Sequence, residues 1–315
     1  MESEVRYSFV IPIYNEEATL QELARRVADF IDTLDGQAEV IFVDDGSRDG
    51  SLDMMREIAE ADPRFKYVEL SRNYGHQIAI TAGMDFASGK AIIIMDADLQ
   101  DPPEVVLEMI GKWKEGYDIV YGVREEREGE TWFKRTTATA FYRMLRKVTD
   151  LDVPVDVGDF RLVDRAALDA FRALREKNRY VRGLFSWIGF KQTGVKYKRA
   201  ARFAGDTKYP LSKMLKLATD GVLSFSMFPL RIALNAGFWI AGLAFVGGIW
   251  AIVEKLIGAY VVPGWVSLLV AVAFLGGIQL IILGIMGEYI GRIYEEVKNR
   301  PLYIVKSSTT QRQEQ

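Results

Sequence analysis

The chain has 315 residues, a formal net charge of -3, 49% hydrophobic residues and no cysteine. Without cysteine, a disulfide framework and a cysteine-ligated zinc or iron site are excluded, and with His76 as its single histidine the chain has no multi-histidine metal site. The near-neutral charge argues against a nucleic-acid-binding protein, which usually carries a basic excess.

Up to about residue 200, short apolar segments alternate with amphipathic ones. Strands that alternate with helices in this way predict an α/β domain with a mostly parallel sheet and helices on both faces. In such sheets, ligands bind beyond the carboxyl ends of the strands. We predict strands at 7–12, 38–43, 65–69, 91–95 and 118–121, and helices at 17–34, 51–61 and 75–87.

Three of these strands are followed by acidic residues, namely Glu16, the pair Asp44 and Asp45, and the pair Asp96 and Asp98. Each acidic group alone is typical of a helix cap or a solvated turn. Three groups at one sheet edge would repel one another unless a positive charge lies among them. Carboxylates without Cys or His favour a hard cation such as Mg²⁺ or Mn²⁺, so we predict a divalent metal there.

Two uncharged runs follow, at 232–253 and 256–287. Each exceeds the roughly 20 apolar residues that cross a bilayer, and cations such as Arg231 and Arg292 flank the pair. The positive-inside rule therefore predicts a two-helix hairpin with both termini in the cytoplasm. The alternative is a pair of buried helices in a large soluble domain. The N-terminus has no basic, apolar leader typical of a signal peptide.

The segment 210–231 mixes apolar residues with lysines, a pattern that fits helices in the membrane interface or a linker helix packed on the soluble domain. The polar end from Ser307 is expected to be disordered. The predicted organisation is a cytosolic catalytic domain (1–208), juxtamembrane amphipathic helices (209–231), two transmembrane helices (232–287, spanning about 232–254 and 264–287) and a cytosolic C-terminal tail (288–315).

Five motifs after the predicted strands, at 12–16, 44–49, 73–75, 96–103 and 122–124, carry a family resemblance. Together with 158–162, 183–190 and 202–208 ahead of the apolar runs, they resemble the family-two glycosyltransferases of GT-A fold. Within that family the chain is most similar to polyisoprenyl-phosphate glycosyltransferases, which include bacterial bactoprenol glucosyltransferases and dolichol-phosphate mannose synthases.

The resemblance implies a nucleotide-sugar site at the first motifs, with Asp96 and Asp98 beside the sugar diphosphate and the metal. Asp98 is the better candidate for direct coordination of Mg²⁺ or Mn²⁺, and Gln100 fits a sugar contact or an outer role. The implied donor-binding residues are Pro12, Tyr14, Asn15, Glu16, Asp44, Asp45, Asp96, Ala97, Asp98 and Gln100.

The acceptor implied by the resemblance is the phosphate of a long isoprenoid, which needs cations around it. Asp159 matches the proposed base position of the family, although it could equally orient Arg161. For Lys208 the alternative is attraction to anionic lipid. His76 opens a predicted helix, where we expect a packing or capping role, and the alternative is an approach to the diphosphate. The implied catalytic residues are Asp159, Asp98 and Arg124, and the implied acceptor-phosphate residues are Arg124, Arg135, Arg202 and Lys208.

The resemblance thus predicts a glycosyltransferase in the bacterial inner membrane that moves glucose from UDP-glucose to undecaprenyl phosphate on the cytoplasmic side. The transfer would be inverting and would supply a lipid-linked sugar for cell-envelope glycosylation. Alternative donors are UDP-N-acetylglucosamine, a UDP-aminopentose and GDP-mannose. More distant alternatives are a polysaccharide synthase, whose Gln-x-x-Arg-Trp motif is absent here, and a non-catalytic membrane scaffold. Relatives suggest a homotetramer.

Overall fold

A computed structural model describes residues 5–124, 157–198, 226, 228–257 and 264–313. It separates into two units, one built on a β-sheet and one that covers Val222–Arg300. Of the predicted interfacial segment at 209–231, residues 209–225 and 227 lie outside the described residues.

Strands and helices alternate through most of the sheet unit. Each of the five predicted strands and three predicted helices is confirmed, with ends that differ by at most three residues from the prediction. In chain order the elements are β1 (Tyr7–Ile13), α1 (Glu17–Ile31), β2 (Ala38–Asp44), α2 (Ser51–Ala61), β3 (Phe65–Leu70), α3 (His76–Phe86), β4 (Ala91–Ile94), α4 (Val105–Lys114), β5 (Ile119–Arg124), β6 (Val157–Asp164), α5 (Arg165–Ala173), α6 (Val181–Trp187), β7 (Gln192–Tyr197), α7 (Phe228–Leu256), α8 (Trp265–Val297) and β8 (Val305–Ser308).

The eight strands form one sheet in the order β7-β5-β6-β4-β1-β2-β3-β8. Strand β1 pairs in parallel with β2 and β4, β2 pairs in parallel with β3, and β5 pairs in parallel with β7. Strand β6 runs antiparallel between β4 and β5, and β8 runs antiparallel along β3. The expected mostly parallel sheet is therefore confirmed, and the carboxyl ends of β1 to β5 share one edge.

Helices cover both faces of the sheet. Neighbouring residues of a strand point to opposite faces, and Phe9 of β1 belongs to a buried cluster with side chains of α1, α2 and α4. On the other face Val10 contacts the position where a side chain at Gly83 of α3 would begin. Helix α5 lies next to α3 on this face, since the Arg172 guanidinium of α5 donates a hydrogen bond to the Met84 carbonyl of α3. Burial of these apolar faces is the main driving force for the fold.

The second unit contains two long apolar helices, α7 and α8, with candidate membrane spans at Phe228–Gly247 and Phe274–Val297. In the most apolar 18-residue stretch of each helix, only 6% of the residues of α7 and 0% of those of α8 are buried. Large side chains such as Phe238 and Trp250 are exposed. A core helix of a soluble domain would bury such residues. Both helices are thus long and apolar enough to cross a membrane and could form the predicted hairpin.

The C-terminal end differs from the prediction. The prediction that the chain is disordered from Ser307 onward is wrong, because Val305–Ser308 forms β8 at the edge of the sheet and pairs with β3. Beyond the strand, the Thr309 backbone N–H bonds to the Tyr67 carbonyl at 3.1 Å. A polar composition predicts disorder only where the backbone has no partner, and here the free edge of β3 supplies one.

Candidate active site

The carboxyl edge of the sheet gathers the acidic motifs that follow β1, β2 and β4. Parallel register places Ile13, the last residue of β1, opposite Asp44 of β2. Strand β4 lies on the other side of β1, so the residues after Ile94 emerge next to those after Ile13. The structure therefore brings the predicted motifs to one edge.

Asp45 is buried and organises a neighbouring loop, residues 71–75, which we call the 71–75 loop. One carboxylate oxygen of Asp45 accepts the Tyr74 backbone N–H at 2.6 Å, and the other accepts the Gly75 N–H at 2.9 Å. The Asn73 side-chain amide donates to the Asp45 backbone carbonyl at 2.9 Å. Gly75 has a φ of 99°, a left-handed conformation that favours glycine. Burial raises the pKa of Asp45 despite the two backbone donors.

The segment after β1 interlocks with the segment after β2. The Asn15 backbone N–H donates to Ser47 Oγ at 3.0 Å, and Asn15 Oδ1 accepts the Arg48 N–H at 2.8 Å. Asp44 Oδ1 accepts the Ser47 N–H at 3.1 Å, and burial raises the pKa of Asp44. Asn15 also has a φ of 53°. A non-glycine residue held in this region is often found at a functional site.

The remaining residues of the first motif differ in exposure. Pro12 is buried within β1 opposite Val43, whereas the Tyr14 ring at the end of the strand is exposed. Glu16 directs a carboxylate oxygen to the Thr19 hydroxyl at 3.2 Å, and its N–H donates to Ser51 Oγ at 2.9 Å. The Tyr14 ring thus lies at the surface of the carboxyl edge, while Glu16 also contacts the first turn of α1.

Asp96 and Asp98 lie just after β4. Asp98 Oδ1 accepts the Gln100 backbone N–H at 3.2 Å, Ala97 is buried, and Leu99 has a φ of 57° that turns the segment sharply. Among the residues that the structure describes, no group of three His, Cys, Asp or Glu side chains could hold a metal ion. Two carboxylates fit a hard cation that takes its other ligands from water and phosphate oxygens.

Asp159, on β6, lies at the centre of a cluster of donors. Arg182 Nε donates to Asp159 Oδ1 at 2.9 Å and Arg182 Nη2 donates to Oδ2 at 3.1 Å. Gln77 Nε2 donates to Oδ2 at 3.3 Å. His76 Nε2 lies 3.4 Å from Asp159 Oδ2 and 3.3 Å from Asp96 Oδ1, so it links the two acidic positions. The Arg161 guanidinium bonds instead to the backbone carbonyls of Gly158 and Asp159.

The charges of this cluster are mutually stabilising. Burial opposes ionisation of Asp159, but the Arg182 charge and the hydrogen bonds from His76 and Arg182 hold its pKa well below the usual range. Burial would lower the pKa of His76, but Asp159 and Asp96 raise it to about 9. At neutral pH the cluster therefore holds an ionised Asp159 between two cations. A carboxylate with so low a pKa is a weak general base.

Arg124 ends β5 beside the same cluster. Its guanidinium lies where a side chain at Gly158, the neighbour of Asp159, would begin. Arg124 Nε donates to the Tyr197 hydroxyl at 3.5 Å, and that hydroxyl donates to the buried Asp101 at 2.5 Å. Arg124 is thus held at the carboxyl edge through Tyr197.

The structure brings most of the predicted site residues to the carboxyl edge of the sheet, together with residues to which the sequence motifs assigned no role. The newly found residues are Ser47, the donors of the 71–75 loop, Gln77, Arg182 and Tyr197. His76 opens α3, as expected, yet its ring lies between two carboxylates rather than serving only the helix start. Arg135, Arg202 and Lys208 lie outside the described residues.

Comparisons with known proteins show which sequences this chain resembles. The family model described as glycosyl transferase family 2 matches residues 8–172. An uncharacterized glycosyltransferase of Bacillus subtilis is 53% identical, with 98% of this chain and 95% of the relative aligned. A bactoprenol glucosyl transferase of Shigella phage SfII is 41% identical over 96% of this chain and 98% of its own length.

A third relative, a prophage bactoprenol glucosyl transferase homolog of Escherichia coli, is 41% identical over 96% of this chain and 99% of its own length. The matched family region runs from β1 into α5 and so contains the carboxyl-edge motifs and Asp159. From the acidic edge, the family match and relatives that align over nearly their whole length, we conclude that this chain belongs to glycosyl transferase family 2 and is a glycosyltransferase.

Proposed function

We propose that the protein transfers a sugar from a nucleotide sugar, with UDP-glucose as the first candidate, to the phosphate of a polyprenyl lipid. The observation that carries the proposal is the cluster in which Arg124, His76 and Arg182 adjoin the carboxylates of Asp96 and Asp159. Such a site offers cations to an anionic acceptor as well as carboxylates to a metal. Relatives at 41% identity named bactoprenol glucosyl transferases support this acceptor.

In the proposed reaction an oxygen of the lipid phosphate attacks the anomeric carbon of the sugar. A bond from that oxygen to the carbon forms as the bond from the carbon to the nucleoside diphosphate breaks, with inversion. A phosphate monoester has its second pKa near 6, taking phosphorylated side chains as a guide, so the acceptor is largely ionised at pH 7. Because no proton has to be removed, the weak basicity of Asp159 is no obstacle.

The residues have separable roles in this scheme. Asp45 and the 71–75 loop would hold the nucleoside, and Arg124 would bind the acceptor phosphate by charge-assisted hydrogen bonds. Asp159 would fix the orientation of Arg182 and His76. Asp96 and Asp98 would hold Mg²⁺ or Mn²⁺, which when bound neutralises charge on the leaving diphosphate.

The proposal includes a membrane hairpin formed by α7 and α8. Strand β8 follows α8 yet belongs to the same sheet as β1, so the chain must return to the side from which it left. An even number of crossings satisfies this connectivity. Arg292 and Lys298 near the end of α8 favour the cytoplasm for the sheet, by the positive-inside rule.

The test is transfer of radiolabel into lipid. Purified protein in detergent would receive undecaprenyl phosphate, Mg²⁺ or Mn²⁺ and, in separate reactions, labelled UDP-glucose, UDP-N-acetylglucosamine, a UDP-aminopentose and GDP-mannose. We expect lipid label from one donor, UDP-glucose first, and loss of that label with EDTA and in Asp98→Ala. The matched control Asp29→Ala removes an exposed carboxylate from α1 and should retain transfer.

Other outcomes would redirect the assignment. Label in a water-insoluble polymer instead of the lipid extract would indicate a polysaccharide synthase. Donor binding without transfer to any acceptor would indicate a scaffold. Either result would overturn the proposed reaction.

A further inference from the structure

The side chain of Gln77, the second residue of α3, joins two parts of the chain that meet at the cluster around Asp159. Its Nε2 donates to Asp159 Oδ2 on β6 at 3.3 Å. Its Oε1 accepts the backbone N–H of Val181, the first residue of α6, at 3.0 Å. The two partners also fix the orientation of the amide, since a carboxylate accepts and an N–H donates. Gln77 therefore bridges β6 and α6.

Helix α6 depends on contacts of this kind because it is short, with seven residues. Helices of this length are unstable on their own, and their first N–H groups have no acceptor within the helix. The N-cap residue Tyr180 supplies no side-chain cap, so Gln77 of another helix caps Val181. At the far end, Gln192 Nε2 of β7 donates to the Phe185 carbonyl at 2.7 Å. Each end of α6 is thus held by a glutamine from a neighbouring element.

Arg182 directly follows the capped residue and completes a closed ring of contacts. Its guanidinium donates to both Asp159 oxygens, at 2.9 and 3.1 Å, and Gln77 shares the Oδ2 atom. The ring passes from the Gln77 amide to the backbone of α6, and the Asp159 carboxylate closes it. The side chain of Arg182 is 24% exposed, against 5% for Asp159, so a ligand can reach the guanidinium but hardly the carboxylate.

The two contacts of Gln77 do what the pair of Arg182 and Asp159 cannot do alone. A bidentate pair orients the guanidinium relative to the carboxylate, but a long arginine side chain keeps its rotamer freedom unless its backbone is also fixed. Glutamine suits this position because it donates and accepts at once. Glutamate would place a second negative charge beside Asp159, and methionine, of similar length, would make neither bond.

We propose that Gln77 is a positioning residue for the acceptor side of the site, which fixes Arg182 by bonding both to Asp159 and to the first N–H of α6. The proposal rests on the proposed function in one respect, namely that Arg182 belongs to the cations that face the acceptor phosphate. The donor side should not depend on Gln77, because Asp45 accepts backbone N–H groups of the 71–75 loop. Loss of Gln77 should therefore impair use of the acceptor and leave donor binding unchanged.

The test is a double-mutant cycle in the full-length protein. Gln77→Met removes both bonds at similar side-chain length, and it is combined with Arg182→Met. Gln77→Glu keeps an acceptor for the Val181 N–H and replaces the donor to Asp159 with a second carboxylate. The matched control Gln192→Met removes the glutamine at the other end of α6. For each protein we would measure kcat, both substrate KM values, the Kd for UDP with Mn²⁺ and the melting temperature.

We expect Gln77→Met to lower kcat/KM for the lipid by about 2- to 10-fold, the range of one neutral hydrogen bond, and Gln77→Glu to lower it at least as much. The donor KM and the Kd for UDP should stay within about twofold. In the Arg182→Met background the further loss from Gln77→Met should be less than about twofold, since the residue that it positions is gone. Gln192→Met should lower the melting temperature and leave kcat/KM within about twofold.

Two results would overturn the inference. The losses from Gln77→Met and Arg182→Met could multiply, which would show that the two residues act independently. Alternatively, Gln192→Met could lower kcat/KM as much as Gln77→Met, which would show that α6 needs only to be folded. A rise in the donor KM equal to that in the lipid KM would likewise contradict a role on the acceptor side.

Failure of the proposed function would be recognised separately. If the wild type labels a polymer instead of lipid, the acceptor assignment is wrong, and the same cycle with the polymer acceptor decides the role of Gln77. If the wild type labels nothing, the melting temperatures of the cycle decide it. A double variant less destabilised than the sum of the single variants would support the coupling of Gln77 to Arg182, and additive losses would contradict it.

Discussion

Arg182 donates two hydrogen bonds to Asp159, from Nε to Oδ1 at 2.9 Å and from Nη2 to Oδ2 at 3.1 Å. This geometry bears on whether Asp159 is a catalytic base. A base must present a lone pair to the proton that it removes, whereas both oxygens of Asp159 already accept hydrogen bonds. The pair is therefore better suited to orienting the guanidinium than to proton transfer.

A double-mutant cycle tests this role. Arg182→Met and Asp159→Asn should each lower kcat/KM by about 10- to 100-fold, since a hydrogen bond to a charged group contributes about 1.5–3 kcal/mol. If the two residues act as a unit, the double variant should be no worse than the more damaged single variant. Losses that multiply, with Asp159→Asn far the larger, would restore the base assignment. Arg25→Met on the exposed face of α1 is the control.

Tyr197 should matter for the lipid acceptor because it connects Arg124 to Asp101. We expect Tyr197→Phe to raise the KM for polyprenyl phosphate by about 3- to 10-fold, within the range of one hydrogen bond to a charged group, and to leave the donor KM unchanged. Initial rates measured with each substrate varied in turn separate the two constants. A rise in the donor KM alone would place Arg124 on the nucleotide side of the site.

Gly83 permits close packing of α3 on the sheet. A Cβ at this position would lie 2.9 Å from Val43 Cγ2 and would also clash with Val10 Cγ1. Gly83→Ala should therefore destabilise the protein by about 1–3 kcal/mol, the usual cost of overpacking. Gly111→Ala on α4, where no heavy atom lies within 4 Å of the new methyl group, should be neutral or stabilising. Chemical unfolding of both variants by circular dichroism would show the difference, and equal effects would contradict it.

Glu39 should make stability depend on pH. Burial would raise its pKa, but hydrogen bonds from Lys66, Ser8 and Ser88 outweigh burial and lower it. A carboxyl whose pKa is lower when folded stabilises the protein above the unfolded pKa of about 4.3, and this contribution is lost as pH falls through the folded pKa. Melting temperatures should thus fall on acidification below about pH 5.

The fall should be shallower in Glu39→Gln, which cannot ionise, although that variant starts from a lower stability at pH 7. The exposed Glu57→Gln serves as its control. If the melting temperatures of Glu39→Gln and the wild type fell in parallel with pH, another group would be responsible for the loss of stability in acid.

The sequence was sufficient for the elements whose apolar pattern is strong. Strands β1, β2 and β4 are short runs of buried residues, and α1 is a long helix that buries one face. The parallel pairing of these strands brings the predicted acidic motifs to one edge. The same pattern cannot locate β8, since Val305–Ser308 is half polar and is stabilised by its pairing with β3.

The hydrogen-bond partner of Asp159 could likewise not be predicted from patterns in the sequence. Asp159 and Arg182 are 23 residues apart, and α5 lies between them, so no helical or strand spacing relates them. Arg161, two residues from Asp159, was the nearer candidate by sequence, but it turns to backbone carbonyls. Only the packing of α6 near β6 makes Arg182 the partner.

The return of β8 means that the two apolar helices are an insertion between β7 and β8 of one sheet. Cutting the chain ahead of α7 would strip the outer strand from the sheet, expose the edge of β3 to self-association and remove Lys306 and Tyr303 from the buried carboxylates that they contact. A truncated chain that keeps the whole sheet would instead require excision of α7 and α8 alone, with a flexible linker joining the residues before α7 to Pro301.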